Sequence, residues 1–92
     1  MTIKCEVYYP EGIITETTHD KTPDLKWLQA AVGGYIEMPP RASGTKVDCF
    51  VNEDGLRLKL PANLKATHRA MDLGYILTHP LVGPVVFAEK IK

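Results

Sequence analysis

Proline and glycine residues interrupt the chain so often that only short helices and strands fit between them. The seven prolines and seven glycines separate short apolar segments, and the longest stretch without Asp, Glu, Lys or Arg, residues 73–88, is sixteen residues long and contains Pro80 and Pro84. A membrane-spanning helix needs about 20 apolar residues, so this stretch is too short for one. With 92 residues, 45% of them hydrophobic, the chain has material for a single compact domain, residues 1–92.

Alternating apolar residues predict strands at both ends of the chain. Apolar and polar side chains alternate over residues 2–9, as in a half-buried strand. Residues 10–12 are typical of a turn, and the β-branched residues in segment 13–18 favour a strand that pairs antiparallel with the first. Residues 81–88 predict the last strand.

Two helices are predicted from their capping residues. Thr22 as N-cap, Pro23 and Asp24 form a helix start, and Gly33 is expected to end this helix after Val32. The second helix is expected from Leu64 to about Leu73, after Asn63 as N-cap and before Gly74. Its predicted inner face consists of Leu64, Thr67, His68 and Met71.

The middle of the chain predicts a short strand at residues 35–38 and a hairpin. In this hairpin, strands 47–51 and 56–60 flank the turn Asn-Glu-Asp-Gly, whose Asp-Gly pair favours reversal of the chain. Together the segments predict an α+β domain with a small, mostly antiparallel sheet of five or six strands and two helices.

The charges are balanced overall but unevenly distributed. Eleven basic residues balance eleven acidic ones, which argues against a nucleic-acid binder. Residues 1–55 carry five basic and nine acidic side chains, whereas residues 56–92 carry six and two. Because the oppositely charged parts can attract each other, we expect a homo-oligomer, a dimer, with Trp27 and residues 82–87 as its apolar contact.

The sequence offers little for catalysis, and we predict no catalytic residue, metal site or cofactor. Cys5 and Cys49 lack the spacing of a metal or redox pair and are predicted to be buried free thiols. The three histidines lie far apart in the sequence, and Ser43, the only serine, has no histidine nearby.

A group of basic residues is the candidate ligand site. The proposed ligand is an anion, held by basic side chains at the start of the second helix and by that helix's positive dipole end. Two aromatic side chains are candidates to flank a groove and stack on a flat ligand. The candidate residues are Arg57, Lys59, Asn63, Lys65, Arg69, Trp27 and Tyr35. The alternative interpretation is that the basic residues form only the solvated faces of amphipathic elements.

Four motifs resemble those of a family of small proteins of unknown function encoded by bacteriophages and mobile elements. They are W-L-Q-x-x-V-G-G-x-I-E from Trp27, N-E-D-G from Asn52, L-P-x-N from Leu60 and G-x-V-V from Gly83, and together they extend the resemblance over residues 25–88. The chain departs from the family in its short 41–45 segment and in Pro84, where members more often carry a charged residue. The resemblance implies an accessory function, including interference with host defences.

These considerations lead to one main hypothesis and two alternatives. The main hypothesis is a non-enzymatic accessory protein of the host cytoplasm that counters a host defence system. It would either sequester an anionic nucleotide signal or bind and inhibit a host effector protein. The alternatives are a small enzyme acting on a phosphorylated metabolite and a structural or assembly protein of the phage. We expect no membrane partner, because the chain lacks a long apolar run and begins with charged residues at Lys4 and Glu6.

Overall fold

The computed structural model describes residues 1–92, which form one antiparallel sheet and two helices. The sheet has the strand order β2-β1-β5-β4-β3, and neither helix qualifies as a membrane span. The predicted α+β fold with five strands and two helices is confirmed. The elements are β1 (Ile3–Tyr8), β2 (Ile14–His19), α1 (Leu25–Val32), β3 (Ile36–Glu37), β4 (Asp48–Asn52), α2 (Leu64–Leu73) and β5 (Val85–Lys90).

Each helix covers one face of the sheet. Side chains alternate between the two faces along a strand, so each central strand contributes to two separate cores. On the α1 face, Leu28 and Val32 pack with strand residues that include Cys5, Phe50 and Val86. On the α2 face the core consists of Tyr8, Val47, Cys49, Val51, Ala66, Ala70, Tyr75, Leu81, Val85 and Phe87.

Helix α1 ends as predicted but begins two residues later. The Asp24 carboxylate, and not the Thr22 hydroxyl, is the N-cap, because it accepts a hydrogen bond from the Trp27 N–H at 2.9 Å. Gly33 ends the helix in the left-handed conformation, with φ +82°. The prediction of Thr22 as N-cap is therefore wrong, and that of Gly33 as C-cap is confirmed.

We expect Gly33→Val to lower the melting temperature of the domain. A Cβ at this position would meet no atom within 4 Å, so the whole cost is conformational. Left-handed backbone costs a β-branched residue about 1–2 kcal/mol or more. Thermal unfolding followed by circular dichroism measures the change. Gly33→Asn is the matched control, because asparagine tolerates this conformation, and equal melting temperatures for the two variants would contradict the explanation.

Helix α2 has the predicted ends but is rotated about its axis relative to the prediction. Ala66, Thr67 and Ala70 face the sheet, whereas Leu64 is 62% and Met71 58% exposed. His68 is also exposed. The buried face of the helix therefore consists of small side chains, and its larger apolar side chains lie on the outer face. The predicted inner face is wrong except for Thr67.

The predicted hairpin after β4 does not form. Residues 56–59 fold as consecutive turns, in which the Leu58 N–H donates to the Asp54 carbonyl at 2.8 Å and the Lys59 N–H to the Leu56 carbonyl at 3.1 Å. Strand β4 already pairs with β5 on one side and with β3 on the other. It therefore has no free edge for a following strand, and Leu56 and Leu58 remain exposed.

Strand β5 lies in the centre of the sheet and cannot supply a dimer contact. Val85, Val86 and Phe87 are at most 1% exposed, because β1 and β4 flank the strand and both helices cover its faces. The predicted contact through residues 82–87 is therefore wrong. Homo-oligomerisation itself stays a prediction.

Both cysteines are free and buried, as predicted, one on each face of the sheet. Burial raises the pKa of both thiols, and that of Cys49 to about 12. The thiolate is the reactive form, so Cys49 is held in its unreactive state at neutral pH.

We expect a thiol reagent at pH 8 to modify Cys49 only through unfolding. With a pKa of about 12, on the order of one thiol in ten thousand is ionised at that pH in the folded protein. Mass spectrometry after timed labelling, with and without denaturant, measures the rate. Rapid labelling of Cys49 under native conditions would show that the thiol is not buried.

Candidate functional site

The structure does not bring the predicted ligand residues together. Arg57 lies in the turns after β4 and forms an ion pair with Asp54 at 3.3 Å, and Lys59 is exposed in the same turns. Trp27 packs on His19 of β2, with the ring centroids 5.0 Å apart, whereas Tyr35 precedes β3. Since β2 and β3 are opposite edges of the sheet, the two aromatic side chains do not flank a common groove.

Asn63 has a structural position instead of a ligand-binding one. Its side chain is 1% exposed, and its Nδ2 donates to the carbonyls of Tyr8 and Gly83, both at 2.8 Å. Its Oδ1 accepts from the Ala66 N–H at 3.2 Å, which caps α2 as predicted. All of its polar atoms are thus used within the domain, and none is free for a ligand.

Lys65 and Arg69 are the two candidate residues that share a surface. They lie four residues apart on α2, where the Lys65 Nζ donates to the Gly12 carbonyl in the β1–β2 turn at 3.2 Å. The Arg69 Nε is buried without a hydrogen-bond partner. Burial and Glu6 raise the pKa of Tyr8, and the positive charges of Arg69 and Lys4 oppose this effect, so both cations lie within electrostatic range of the Tyr8 hydroxyl.

The free edge of β2 is a surface that the ligand prediction missed. The Tyr9 N–H donates to the Ile13 carbonyl across the hairpin, whereas the Thr2 carbonyl accepts from the Ile91 N–H on the β5 side. The odd-numbered residues of β1 therefore hydrogen-bond to β2, and the even-numbered ones to β5. In an antiparallel ladder the bonding direction alternates at each residue. The N–H and C=O groups of Ile14, Glu16 and Thr18 therefore point away from the sheet.

Strand β2 is also uncovered on both of its faces. Residues 14–18 are all exposed, and only His19 is partly buried. Natural edge strands are usually short or protected by proline or lysine. The opposite edge follows this rule, because β3 has two residues and is followed shortly by Pro39 and Pro40. Strand β2 has six residues, including three threonines, and no proline or lysine.

Two carboxylates of the α2 face lie side by side next to this free edge. Glu6 of β1 and Glu16 of β2 are direct cross-strand partners at a position where the ladder has no hydrogen bonds, which brings side chains closest. Like charges in this arrangement are destabilising. The three ion pairs of the structure involve neither residue, so neither carboxylate has a cationic side chain within 4 Å.

An open cleft lies where β2 ends and the chain enters α1. It has a volume of about 540 Å³ and is lined by residues 18–24 and Trp27. Its charged side chains are Asp20, Lys21 and Asp24, of which Asp24 also caps α1. The groove predicted between Trp27 and Tyr35 does not form, and Trp27 instead lines this cleft together with the end of β2, two carboxylates and Lys21.

The sequence contains a signal for this edge that periodicity analysis overlooks. Segment 14–19 reads I-T-E-T-T-H, in which polar residues occupy both alternating sets of positions. A strand with one buried face would show apolar residues in one of these sets. Strong β propensity without such a set is typical of an edge strand with neither face covered.

A comparison with known proteins identifies the family of the chain. No curated protein and no solved structure is significantly similar to it. Residues 4–91 match the family described as "Domain of unknown function (DUF3846)". This result confirms the resemblance to a family of unknown function, while the phage origin stays a prediction. The match extends over nearly the whole domain, and the chain belongs to the DUF3846 family.

Proposed function

We propose that the chain is a non-enzymatic binding domain that recognises an extended segment of a partner protein by adding it to the sheet beside β2. The observation that carries this proposal is the six-residue edge with both its backbone groups and its side-chain faces exposed. Strand addition is a recurrent mode of peptide recognition, in which main-chain hydrogen bonds give affinity and alternate side chains give specificity.

The edge supplies a full set of backbone partners for such a segment. Ile14, Glu16 and Thr18 each present one N–H donor and one C=O acceptor on the open side. Each new hydrogen bond contributes about 0.5–1.5 kcal/mol net. Because β1 already holds β2 in an extended conformation, little further ordering of the domain is needed on binding.

The resemblance to phage-encoded accessory proteins suggests the biological setting. Within this proposal the partner is a host effector protein, and occupation of one of its extended segments inhibits it and counters host defence. Binding to a host protein is one of the two routes that the sequence predicted. It requires no catalytic group and no enclosed ligand cavity.

Selection from a library of random linear peptides tests the proposal. The expected result is that peptides enriched on the wild-type domain lose binding to Glu16→Pro, which removes an outward N–H and the carboxylate, and keep most of it on Glu16→Gln, which removes only the carboxylate. We expect the proline variant to keep its melting temperature, since proline is tolerated where the N–H of an edge strand faces solvent. Failure to enrich any peptide that depends on the edge would contradict the proposal.

Thr17→Pro is the matched control for the structural effect of proline. The Thr17 N–H points towards β1, where it pairs with Cys5, so its removal breaks the hairpin ladder. We expect a clear loss of stability for Thr17→Pro and nearly none for Glu16→Pro. The reverse order would show that the outward and inward residues of β2 are wrongly assigned.

The buried Arg69 Nε supports a second candidate function, the binding of an anionic nucleotide. A phosphate oxygen is a suitable acceptor for this unpartnered donor, and Lys65 lies one helical turn away. Calorimetric titration with nucleoside monophosphates and cyclic dinucleotides tests it. Binding that is lost in Arg69→Gln but retained in Glu16→Pro would favour this function over strand addition.

A further inference from the structure

We infer that the segment recognised at β2 is basic, with one lysine or arginine opposite Glu16 and a second in the cleft beside Trp27. This inference rests on the proposed strand addition and specifies the chemistry of the partner. The observations that carry it are the Glu6–Glu16 pair next to the free edge, which takes part in no ion pair, and the cleft at the end of the same strand, where Trp27 lies with two carboxylates and one lysine.

The first basic residue is determined by the geometry of the edge. A segment paired antiparallel with β2 forms hydrogen-bonded pairs with Ile14, Glu16 and Thr18, whose side chains all lie on the α2 face. The residue opposite Glu16 therefore projects on that face directly beside the Glu16 carboxylate, with Glu6 one strand further in. A lysine or arginine there relieves the repulsion between Glu6 and Glu16, and opposite charges across strands are favourable.

The second basic residue is determined by the cleft. Asp20 is exposed in this cleft, and Trp27 presents an indole there whose contact with His19 is edge-to-face, with 78° between the rings. A cationic side chain there is stabilised by two interactions, the attraction to the face of the aromatic ring and the charge-assisted hydrogen bond to the carboxylate. Trp27 lies on the α1 face of the sheet. The second basic residue of the bound segment must therefore project on that face, opposite to the face on which the first one projects.

A second copy of this chain does not meet these requirements. A two-fold axis that pairs β2 with itself in an antiparallel ladder places Glu16 opposite an even-numbered residue, because outward groups pair with outward groups. The even-numbered residues from 12 to 20 are Gly12, Ile14, Glu16, Thr18 and Asp20, and none of them is basic. The charges therefore favour a different protein over a β2-mediated dimer.

Charge-reversed variants test the inference with the same linear peptide library. On the wild-type domain we expect enrichment of lysine or arginine at two peptide positions whose side chains project on opposite faces of the bound strand. On Glu16→Lys we expect the first of these positions to change to glutamate or aspartate, and on Asp20→Lys the second. A single basic residue should change affinity about fivefold through the edge pair, and less at high salt.

Fluorescence of Trp27 separates the two contacts, because it is the only tryptophan in the chain. Addition of an enriched peptide should change the emission, and replacing only its second basic residue by glutamine should remove most of that change. The matched variant Asp20→Asn should weaken binding of the original peptide but not of the glutamine peptide.

The outcomes distinguish the two proposals. Peptides that bind the wild type, fail on Glu16→Pro and show no basic preference would overturn this inference and leave strand addition intact. Enrichment of acidic peptides would overturn it as well. If no peptide depends on the edge, both the inference and the proposed function are contradicted.

Discussion

Replacement of Asn63 by alanine is expected to cost about 3–5 kcal/mol of unfolding free energy, because one side chain satisfies three buried backbone groups. Loss of the N-cap contributes about 1 kcal/mol. The carbonyls of Tyr8 and Gly83 lose their Nδ2 donor, and a buried unsatisfied group costs about 1–3 kcal/mol. Asn63 also joins α2 to the ends of β1 and β5, so its loss affects both the helix and the sheet.

Chemical denaturation of wild type, Asn63→Ala and Asn63→Asp measures this effect. The aspartate variant keeps the shape and the cap acceptor but places carboxylate oxygens against two carbonyls. Ionisation is disfavoured there, which raises the folded-state pKa of the new carboxyl above its unfolded value of about 3.9. Relative to wild type, the variant should therefore lose stability as pH rises above that value. A loss below 1 kcal/mol for alanine at pH 7 would contradict this account.

Phe87→Ala is expected to destabilise the domain by about 3–5 kcal/mol, the range found for large aromatic residues in cores. Phe87 is 1% exposed and contacts Tyr8 in a T-shaped pair with centroids 5.0 Å apart. A domain of this size has a total stability on the order of 5–15 kcal/mol, so this one change removes a large part of it. Phe87→Leu, which keeps most of the volume, should cost much less. Equal losses for the two variants in denaturant titrations would show that the cavity is not the cause.

Local sequence signals predicted the parts of the fold that depend on local interactions. The β1–β2 hairpin, the Gly33 and Gly74 helix ends and the Asn63 cap each follow from a few neighbouring residues. The predicted strand at residues 56–60 failed for a non-local reason. Whether β4 had a free edge depended on β3 and β5, which lie far away in the sequence.

The candidate ligand site was less predictable than the fold for the same physical reason. The sequence around Asn63 is compatible both with a helix cap and with a ligand-binding residue. Its hydrogen bonds to the Tyr8 and Gly83 carbonyls, which the sequence does not show, decide between the two. Trp27 and Tyr35 are close in sequence but lie at opposite edges of the sheet. Residue type therefore indicated which side chains are able to bind, and only the topology showed which of them meet.

Hydrogen exchange of the β2 amides tests the open edge most directly. In the free domain we predict fast exchange for Ile14, Glu16 and Thr18 and slow exchange for Thr15 and Thr17, whose N–H groups point towards β1. Addition of a library-selected peptide should slow the three fast amides at least about tenfold, as new main-chain hydrogen bonds form. Protection of all five amides in the free domain, or unchanged exchange of the outward three with a bound peptide, would contradict strand addition at β2.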